Sequence, residues 1–238
     1  MIKATYIDHM GSDLTVANAA RVSFGKTSDW ELLEPSNSTQ TYWVKEFGYT
    51  LKPHKILPER DTKLIRYLAK HNHISPFGHC FASFHIKAPI FVARQLVKHS
   101  FLRWNEVSRR YVDDEPEFYK PDGWRGRSSD KKQGSTGVDP SLNVFSMLVD
   151  QEARDTLLLY TGLINKGVAP EQARMILPQS TMTEWYWSGS LDAFARMCVL
   201  RCASDTQAET RIVADQISEK MKELFPVSWD ALTENDYE

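Results

Sequence analysis

The sequence predicts an α+β fold, in which a largely antiparallel sheet packs against helices and the C-terminal half is rich in helix. Two observations lead to this fold class: strand-like segments occur early in the chain, and helical spacing of apolar residues dominates late. At 238 residues, of which 42% are hydrophobic, the chain can bury a substantial single core. We therefore expect one domain over residues 1–238.

The N-terminal third predicts short elements separated by turns. Residues 3–8 favour a strand, and the alanine-rich segment 14–22 favours a helix. Residues 42–47 favour a short helix within a stretch that prolines otherwise interrupt. Asp61 is placed to cap a helix over residues 62–70, in which leucines and an isoleucine share one face.

The middle of the chain predicts one buried strand and one long loop. Aromatic residues over 81–86 favour a strand, and Pro89 is expected to open a helix that runs to about residue 99. Residues 106–111 are interpreted as a returning strand. The segment 121–139 is rich in glycine, serine and charge, and we interpret it as a mobile loop, either a solvated linker or a lid over a substrate.

The C-terminal part predicts amphipathic helices. One covers residues 141–166 and stops at Gly167, and Pro170 opens a shorter one. Another covers residues 192–201, and its pattern allows it to continue into the amphipathic stretch that follows. We assign to the core both Trp104 and the aromatic run WYW over 185–187, with a subunit interface as the alternative.

Composition and charge narrow the class of partner. The formal net charge of −2 argues against nucleic acid or a membrane surface, so any anion site must be local. We expect no signal peptide and no membrane span, because no apolar run is long enough. The three cysteines form neither a disulfide framework nor a metal-ligand pattern, so we expect no metal and a reducing, cytoplasmic setting.

Several catalytic motifs are absent from the sequence. It contains no G-x-G-x-x-G dinucleotide fingerprint, no G-x-x-x-x-G-K-[ST] phosphate loop and no G-x-S-x-G nucleophile elbow. The cysteines have apolar or helical neighbours, which argues against a cysteine nucleophile. What remains is a set of arginines and amides, which suits a flat phosphorylated substrate whose chemistry a cofactor performs.

The densest polar segment directly follows an apolar one. Residues 81–92 are largely apolar, and residues 95–111 then carry amides, hydroxyls, cations and a histidine. Because desolvated polar groups are costly without partners, this arrangement predicts a site for an anionic ligand. The polar members are Gln95, Lys98, His99, Ser100, Arg103, Asn105, Glu106, Ser108, Arg109 and Arg110.

This region resembles the flavin-dependent thymidylate synthases. That family has an H-x-[ST]-P-F-x-H loop, an apolar strand, and a signature of Arg-His-Arg followed by seven residues and Ser. Here the loop reads HISPFGH over 73–79, and the signature reads KHS over 98–100 with Ser108. Further similarity lies at AARVSF (19–24), at ARMILP (173–178), and at LR (200–201) with Gln207 and Glu209 downstream.

The resemblance implies transfer of a one-carbon unit from methylenetetrahydrofolate to C5 of dUMP, giving dTMP, with reduced FAD supplying hydride and NADPH reducing the FAD. It also implies a homotetramer with shared active sites. The residues at nucleotide-binding positions are Gln95, Glu106, Ser108, Arg110, Arg174 and Arg201, with Ser108 and Arg201 as candidate catalytic residues. Those at flavin-binding positions are Ser23, His73, Ser75, Lys98, His99, Ser100, Ser190 and Arg196. Arginines suit these roles because they grip phosphate bidentately and stabilise charge on a uracil ring.

Several residues depart from the family pattern around the flavin. Lys98 and Ser100 replace arginines, and SLD at 190–192 occupies the place of an Asn-x-Arg flavin contact. Because aspartate reverses the charge of arginine, we expect weaker flavin binding unless Arg196 or Arg103 compensates. Two alternatives stay open: hydroxymethylation of a pyrimidine deoxynucleotide on the same scaffold, and a nucleotide-binding homologue that has lost flavin.

Overall fold

The computed structural model describes residues 1–33, 54–112, 114–129 and 134–234. The chain divides into two compact units. The first unit comprises Met1–Asp8, Ala82–Gly189 and Ala193–Lys220, and the second comprises His9–Phe81, Ser190–Asp192 and Met221–Glu238. The expectation of a single domain stays a prediction, and the expected helix over 42–47 lies outside the described residues.

Strands dominate the first part of the chain and helices the last part. The strands are β1 (Lys3–Met10), β2 (Glu31–Leu33), β3 (His54–Ile56), β4 (Phe81–Pro89), β5 (Leu102–Glu106), β6 (Arg125–Arg127), β7 (Ser135–Val138) and β8 (Met182–Ser190). The helices are α1 (Asp13–Arg21), α2 (Glu59–Lys70), α3 (Ile90–Leu96), α4 (Val144–Asn165), α5 (Pro170–Ala173), α6 (Leu191–Arg201), α7 (Ala208–Leu224) and α8 (Pro226–Thr233). Short 3₁₀ turns cover Val22–Phe24, Ser75–His79, Pro140–Asn143 and Arg174–Ile176.

A four-stranded antiparallel sheet confirms the predicted α+β class. Its strand order is β1-β4-β8-β5, so β5 lies at one edge. Burial alternates along most of β4, as expected when one face of a strand packs on the core. Strand β5 pairs with β8 so that Leu102 lies opposite Gly189 and Trp104 opposite Trp187.

Strand β8 was missed by the sequence patterns. The core assignment was correct for Trp185 and Trp187 and wrong for Tyr186. Trp185 and Trp187 are each 1% exposed, whereas Tyr186 between them is 51% exposed. This alternation is the period of a strand. Trp104 stacks on Trp185 with ring centroids 4.3 Å apart, and Trp187 packs edge-on against Phe194 at 5.5 Å.

Asp61 does not cap helix α2, so that prediction was wrong. The helix begins at Glu59, and Asp61 lies fully buried in its first turn. Its carboxylate accepts a 2.6 Å hydrogen bond from Arg21 Nε and a short one from Ser28 Oγ. A buried carboxylate requires such partners because an unpaired charge in the interior is strongly destabilising. The ion pair therefore ties helix α1 to helix α2.

The polar segment ends in a turn, so the predicted strand over 106–111 was wrong. Strand β5 ends at Glu106, and the carbonyl of Ser108 accepts the N–H of Tyr111 at 2.9 Å. Helix α3 also ends earlier than predicted, at Leu96. The chain then reverses before β5, with Phe101 in the left-handed region at φ +64°.

Short strands occupy part of the segment that was predicted as a loop. Strands β6 and β7 pair antiparallel within residues 121–139. On β6, Arg125 Nη2 donates to both carboxylate oxygens of Glu209 on α7, at 2.8 and 2.7 Å. Movement of this segment stays a prediction.

Helices α6 and α7 are separate, contrary to the continuous helix that the sequence pattern allowed. Helix α6 ends at Arg201, and Thr206 Oγ1 donates to the carbonyl of Leu200 at 3.0 Å. This hydrogen bond satisfies a carbonyl that the end of the helix leaves without a partner. Among the described residues, no helix combines the length and apolar character that a membrane crossing requires.

Candidate functional site

Gln95 is held at the end of helix α3 by two side chains from the region of α7. Its Nε2 donates to Gln207 Oε1 at 2.5 Å, and its Oε1 accepts from Thr210 Oγ1 at 3.1 Å. Thr210 is fully buried, so this end of the network is fixed. The carboxamide of Gln95 therefore has a defined orientation and keeps one N–H for a ligand.

His99 and Arg201 contact each other directly. Arg201 Nε lies 3.0 Å from His99 Nε2. A guanidinium can only donate, so the imidazole accepts at Nε2 and carries its proton on Nδ1. Burial lowers the pKa of His99, and the positive charge of Arg201 lowers it further. A neutral His99 thus orients Arg201 without competing for a ligand's negative charge.

A cavity of about 350 Å³ lies beside a second group of predicted substrate-binding residues. The predicted residues Glu106 and Arg174 line it, and so does Arg109, which had no assigned role. Glu106 Oε1 accepts from Thr183 Oγ1 at 2.7 Å, and Oε2 accepts from Trp104 Nε1 at 3.0 Å. The volume lies within the range of small-molecule sites, and the carboxylate of Glu106 is held in place at its wall.

Ser108 orients an arginine. Its Oγ accepts hydrogen bonds of 3.3 Å from both the backbone N–H and Nε of Arg110. Neither partner is a base, so these contacts do not activate the hydroxyl as a nucleophile. Arg174 Nε donates to the carbonyl of Glu171 at 3.3 Å, and the side chains of Arg110 and Arg174 are exposed. Both arginines therefore present guanidinium donors to solvent or to a ligand.

The predicted flavin contacts of the first unit lie around one turn. Lys98 and Ser100 are exposed in the turn between α3 and β5, and Arg196 is exposed on α6. The guanidinium of Arg196 lies 5.5 Å from the ring centroid of Phe101. This chemistry fits a flavin dinucleotide, because cations suit its diphosphate and an exposed aromatic ring suits its flat ring system.

The remaining predicted flavin contacts belong to the second unit. Ser23, His73 and Ser75 are exposed. Ser190 is buried, and its hydroxyl donates to Asp192 Oδ1 at 2.6 Å. The carboxylate of Asp192 is therefore buried and hydrogen-bonded. The structure thus divides the predicted site residues between its two units, and their individual roles stay predictions.

Of the two residues that support Gln95, the resemblance to the family had included Gln207, but without a role, and Thr210 was missed. Gln207 and Thr210 are three residues apart, a spacing that puts them on the same side of a helical turn, so a weak signal existed. The exposure of Phe101 had no sequence signal, because an aromatic residue before a strand is expected to be buried. Among the residues that the structure describes, no three His, Cys, Asp or Glu side chains gather in a group that could hold a metal ion.

The chain is similar to known proteins over most of its length. A family model described as "Thymidylate synthase complementing protein" matches residues 5–227. The flavin-dependent thymidylate synthase of Thermus thermophilus is 38% identical over 231 residues, which cover 96% of this chain and 74% of that protein. The chain belongs to the flavin-dependent thymidylate synthase family. A further member, from Kosmotoga olearia, is 37% identical and is covered to 87% of its length.

The present chain also shares its fold with a methylase of known structure. The UMP/dUMP methylase PolB from Streptomyces cacaoi, bound with 5-Br dUMP, superposes with a TM-score of 0.76 at 29% identity, covering 98% of this chain and 95% of that one. The same enzyme bound with 5-Br UMP gives a TM-score of 0.78 at 27% identity, covering 98% and 94%. The resemblance to the family drawn from residues 73–111 is thereby confirmed.

Proposed function

We propose that this chain transfers a one-carbon unit from methylenetetrahydrofolate to C5 of dUMP and releases dTMP. Reduced FAD supplies the hydride, and NADPH reduces the FAD. The observation that carries the proposal is the fixed contact between Arg201 and His99 in a chain whose family match extends over residues 5–227. Two solved structures of one relative that is named a UMP/dUMP methylase support the nucleotide substrate.

Arg201 is assigned to the uracil ring. When C5 acts as a nucleophile, negative charge develops on the ring oxygens, and a donor that is already in position stabilises it. The contact with His99 occupies Nε of Arg201 and leaves the two Nη groups to the substrate. Because His99 is neutral, it holds the guanidinium without adding a second cation whose repulsion would strain the site.

Gln95, Arg110 and Arg174 are assigned to the rest of the nucleotide. The fixed amide of Gln95 suits the hydrogen-bonding edge of a pyrimidine. Arg110 and Arg174 are exposed and suit a phosphate, where each charge-assisted hydrogen bond contributes about 1.5–3 kcal/mol. Ser108 positions Arg110 through its two hydrogen bonds. Glu106 is assigned to the substrate through the cavity that it lines together with Arg174.

Methylation of UMP is a second candidate, because the structurally similar methylase is named for both nucleotides and was solved with both bromo analogues. UMP differs from dUMP only by the 2′-hydroxyl. A site that provides a partner for this hydroxyl accepts UMP, whereas one that crowds it selects dUMP.

The proposed activity is tested by incubating the purified chain with dUMP or UMP, methylenetetrahydrofolate, FAD and NADPH, and identifying the product by mass spectrometry. We expect dTMP from dUMP. Substitution Arg201→Lys keeps the charge but loses the planar fork, so kcat should fall by about a hundredfold. The matched control is Arg154→Lys on helix α4, which should leave kcat unchanged. A hydroxymethylated product, or no product from flavin-loaded protein, would contradict the proposal.

We further propose a homotetramer with shared active sites. Helix α4 supports this, because most of its apolar side chains are exposed in the single chain and Tyr160 is its buried residue. The exposed apolar residues of this helix are Val144, Phe145, Met147, Leu148, Val149, Leu158 and Leu159.

A cytoplasmic setting is proposed from the cysteines. Cys80, Cys198 and Cys202 are free thiols. Burial raises the pKa of Cys80 to about 11, and burial also raises the pKa of Cys198. Such thiols are inert in packed surroundings, which fits a reducing compartment.

A further inference from the structure

Phe101 combines an exposed ring with a strained backbone. Its φ of +64° lies in the left-handed region, which glycine adopts readily and bulky residues avoid. Its side chain is 75% exposed, so the ring gains little from burial. Glycine would make the same turn with less strain. Folding therefore does not account for phenylalanine here, and strained residues of this kind cluster at ligand sites.

Two neighbours hold Phe101 in this position. The guanidinium of Arg196 lies over the ring, 5.5 Å from its centroid. On the backbone side, Gly189 of β8 allows a close approach: a Cβ there would lie 3.0 Å from the carbonyl oxygen of Phe101 and closer still to the side chain of Leu102. The turn is thus pinned to the sheet, with one ring face toward a cation and the rest of the ring largely open.

The position of Phe101 along the chain indicates what its open face meets. It lies two residues after His99, the partner of Arg201, and in the same turn as the exposed Lys98 and Ser100. In the proposed function, Arg201 binds the uracil. A flavin bound to supply hydride to that uracil would have its ring system near Arg201, and therefore near this turn.

We propose that Phe101, held by Arg196, is a stacking platform for the isoalloxazine ring of the flavin. This inference rests on the proposed function and deepens it by naming a ring contact. Stacking on an exposed aromatic side chain offers a flat ligand contact area at little entropic cost. Arg196 thereby acts through Phe101, as a positioning residue, and offsets part of the charge lost where the family pattern has arginines.

The test compares three substitutions at Phe101 by titrating FAD, and separately FMN, into the full-length protein and following flavin fluorescence. Phe101→Leu removes the aromatic ring, and Phe101→Gly also removes the backbone strain. Both should weaken binding of FAD and of FMN by about tenfold, which is typical for loss of one stacking contact. Phe101→Tyr should bind within about threefold of the wild type. Phe81→Leu, which removes a partly exposed aromatic ring at the start of β4, serves as the control and should bind normally.

The melting temperature separates a binding role from a structural one. We expect Phe101→Gly to melt at the same temperature as the wild type or higher, although it binds flavin less tightly, because glycine relieves the left-handed strain. Unchanged affinity in Phe101→Leu would overturn the inference. If the Phe101 variants change the molecular mass measured by light scattering, Phe101 is a subunit contact and the inference is overturned. If they weaken FAD binding but leave FMN binding unchanged, Phe101 contacts the adenine of FAD and the inference is again overturned. Wild-type protein that binds FAD but makes no dTMP would refute the proposed function alone.

Discussion

At the scale of single residues, the chemistry of the site depends on contacts that fix protonation and orientation. The sequence predicted His99 and Arg201 as site residues but not as a pair, because they lie far apart along the chain. Their contact makes His99 an acceptor and lowers its pKa. His99, which was predicted to contact the flavin, therefore also orients Arg201 within the single chain.

The lowered pKa of His99 predicts a dependence of stability on pH. Between the ordinary imidazole value of 6.5 and the lower folded value, the unfolded chain binds a proton that the folded chain does not. The free energy of unfolding should therefore decrease as pH falls through this window. His99→Gln removes the titrating group, so its stability should depend less steeply on pH. Urea unfolding from about pH 7.5 to about pH 5 measures both slopes, and equal slopes would contradict the prediction.

At the scale of secondary-structure elements, the close pairing of strands β5 and β8 fixes the position of the turn at residues 98–101. The sequence did not predict strand β5 at residues 102–106. These residues include polar side chains, and the partner strand β8 comes much later in the sequence. The pairing brings Leu102 opposite Gly189, where a side chain would collide with the turn. A glycine in a strand interior marks this kind of close approach.

Substitution of Gly189 should destabilise the protein. In Gly189→Ala, the added Cβ crowds Leu102 and the carbonyl oxygen of Phe101, at a cost of about 1–3 kcal/mol in the free energy of unfolding. Gly162→Ala is the matched control, because Gly162 lies inside helix α4 with open space around its Cβ position. That control should stabilise the protein by about 0.5–1 kcal/mol. Chemical denaturation measures both changes, and the same sign for both would refute the argument.

At the scale of the whole molecule, helix α4 is the element whose exposed apolar residues indicate a subunit interface. The apolar pattern over 141–166 correctly predicted a helix, which begins at Val144. The pattern also implied burial, yet most of its apolar side chains are exposed in the single chain. Contiguous exposed apolar side chains mark protein interaction sites.

Charge placed on this helix should disrupt the assembly. Met147 is 79% exposed, so Met147→Glu should leave the fold of a protomer intact and lower the molecular mass measured by light scattering. Gln151→Glu adds the same charge at a polar position of the helix and should keep the wild-type mass. An unchanged mass in Met147→Glu would show that this helix does not form the interface.

The sequence by itself determined the fold class, most helices and the residue types of the site, because these follow from local periodicity and from short motifs such as HISPFGH and KHS. Tertiary structure alone decided which side chains meet. It buried Asp61 against Arg21 instead of exposing it as a cap, held Gln95 through Gln207 and Thr210, and turned Phe101 outward. These outcomes depend on pairings between residues distant in sequence, whose energies of packing and desolvation no local pattern records.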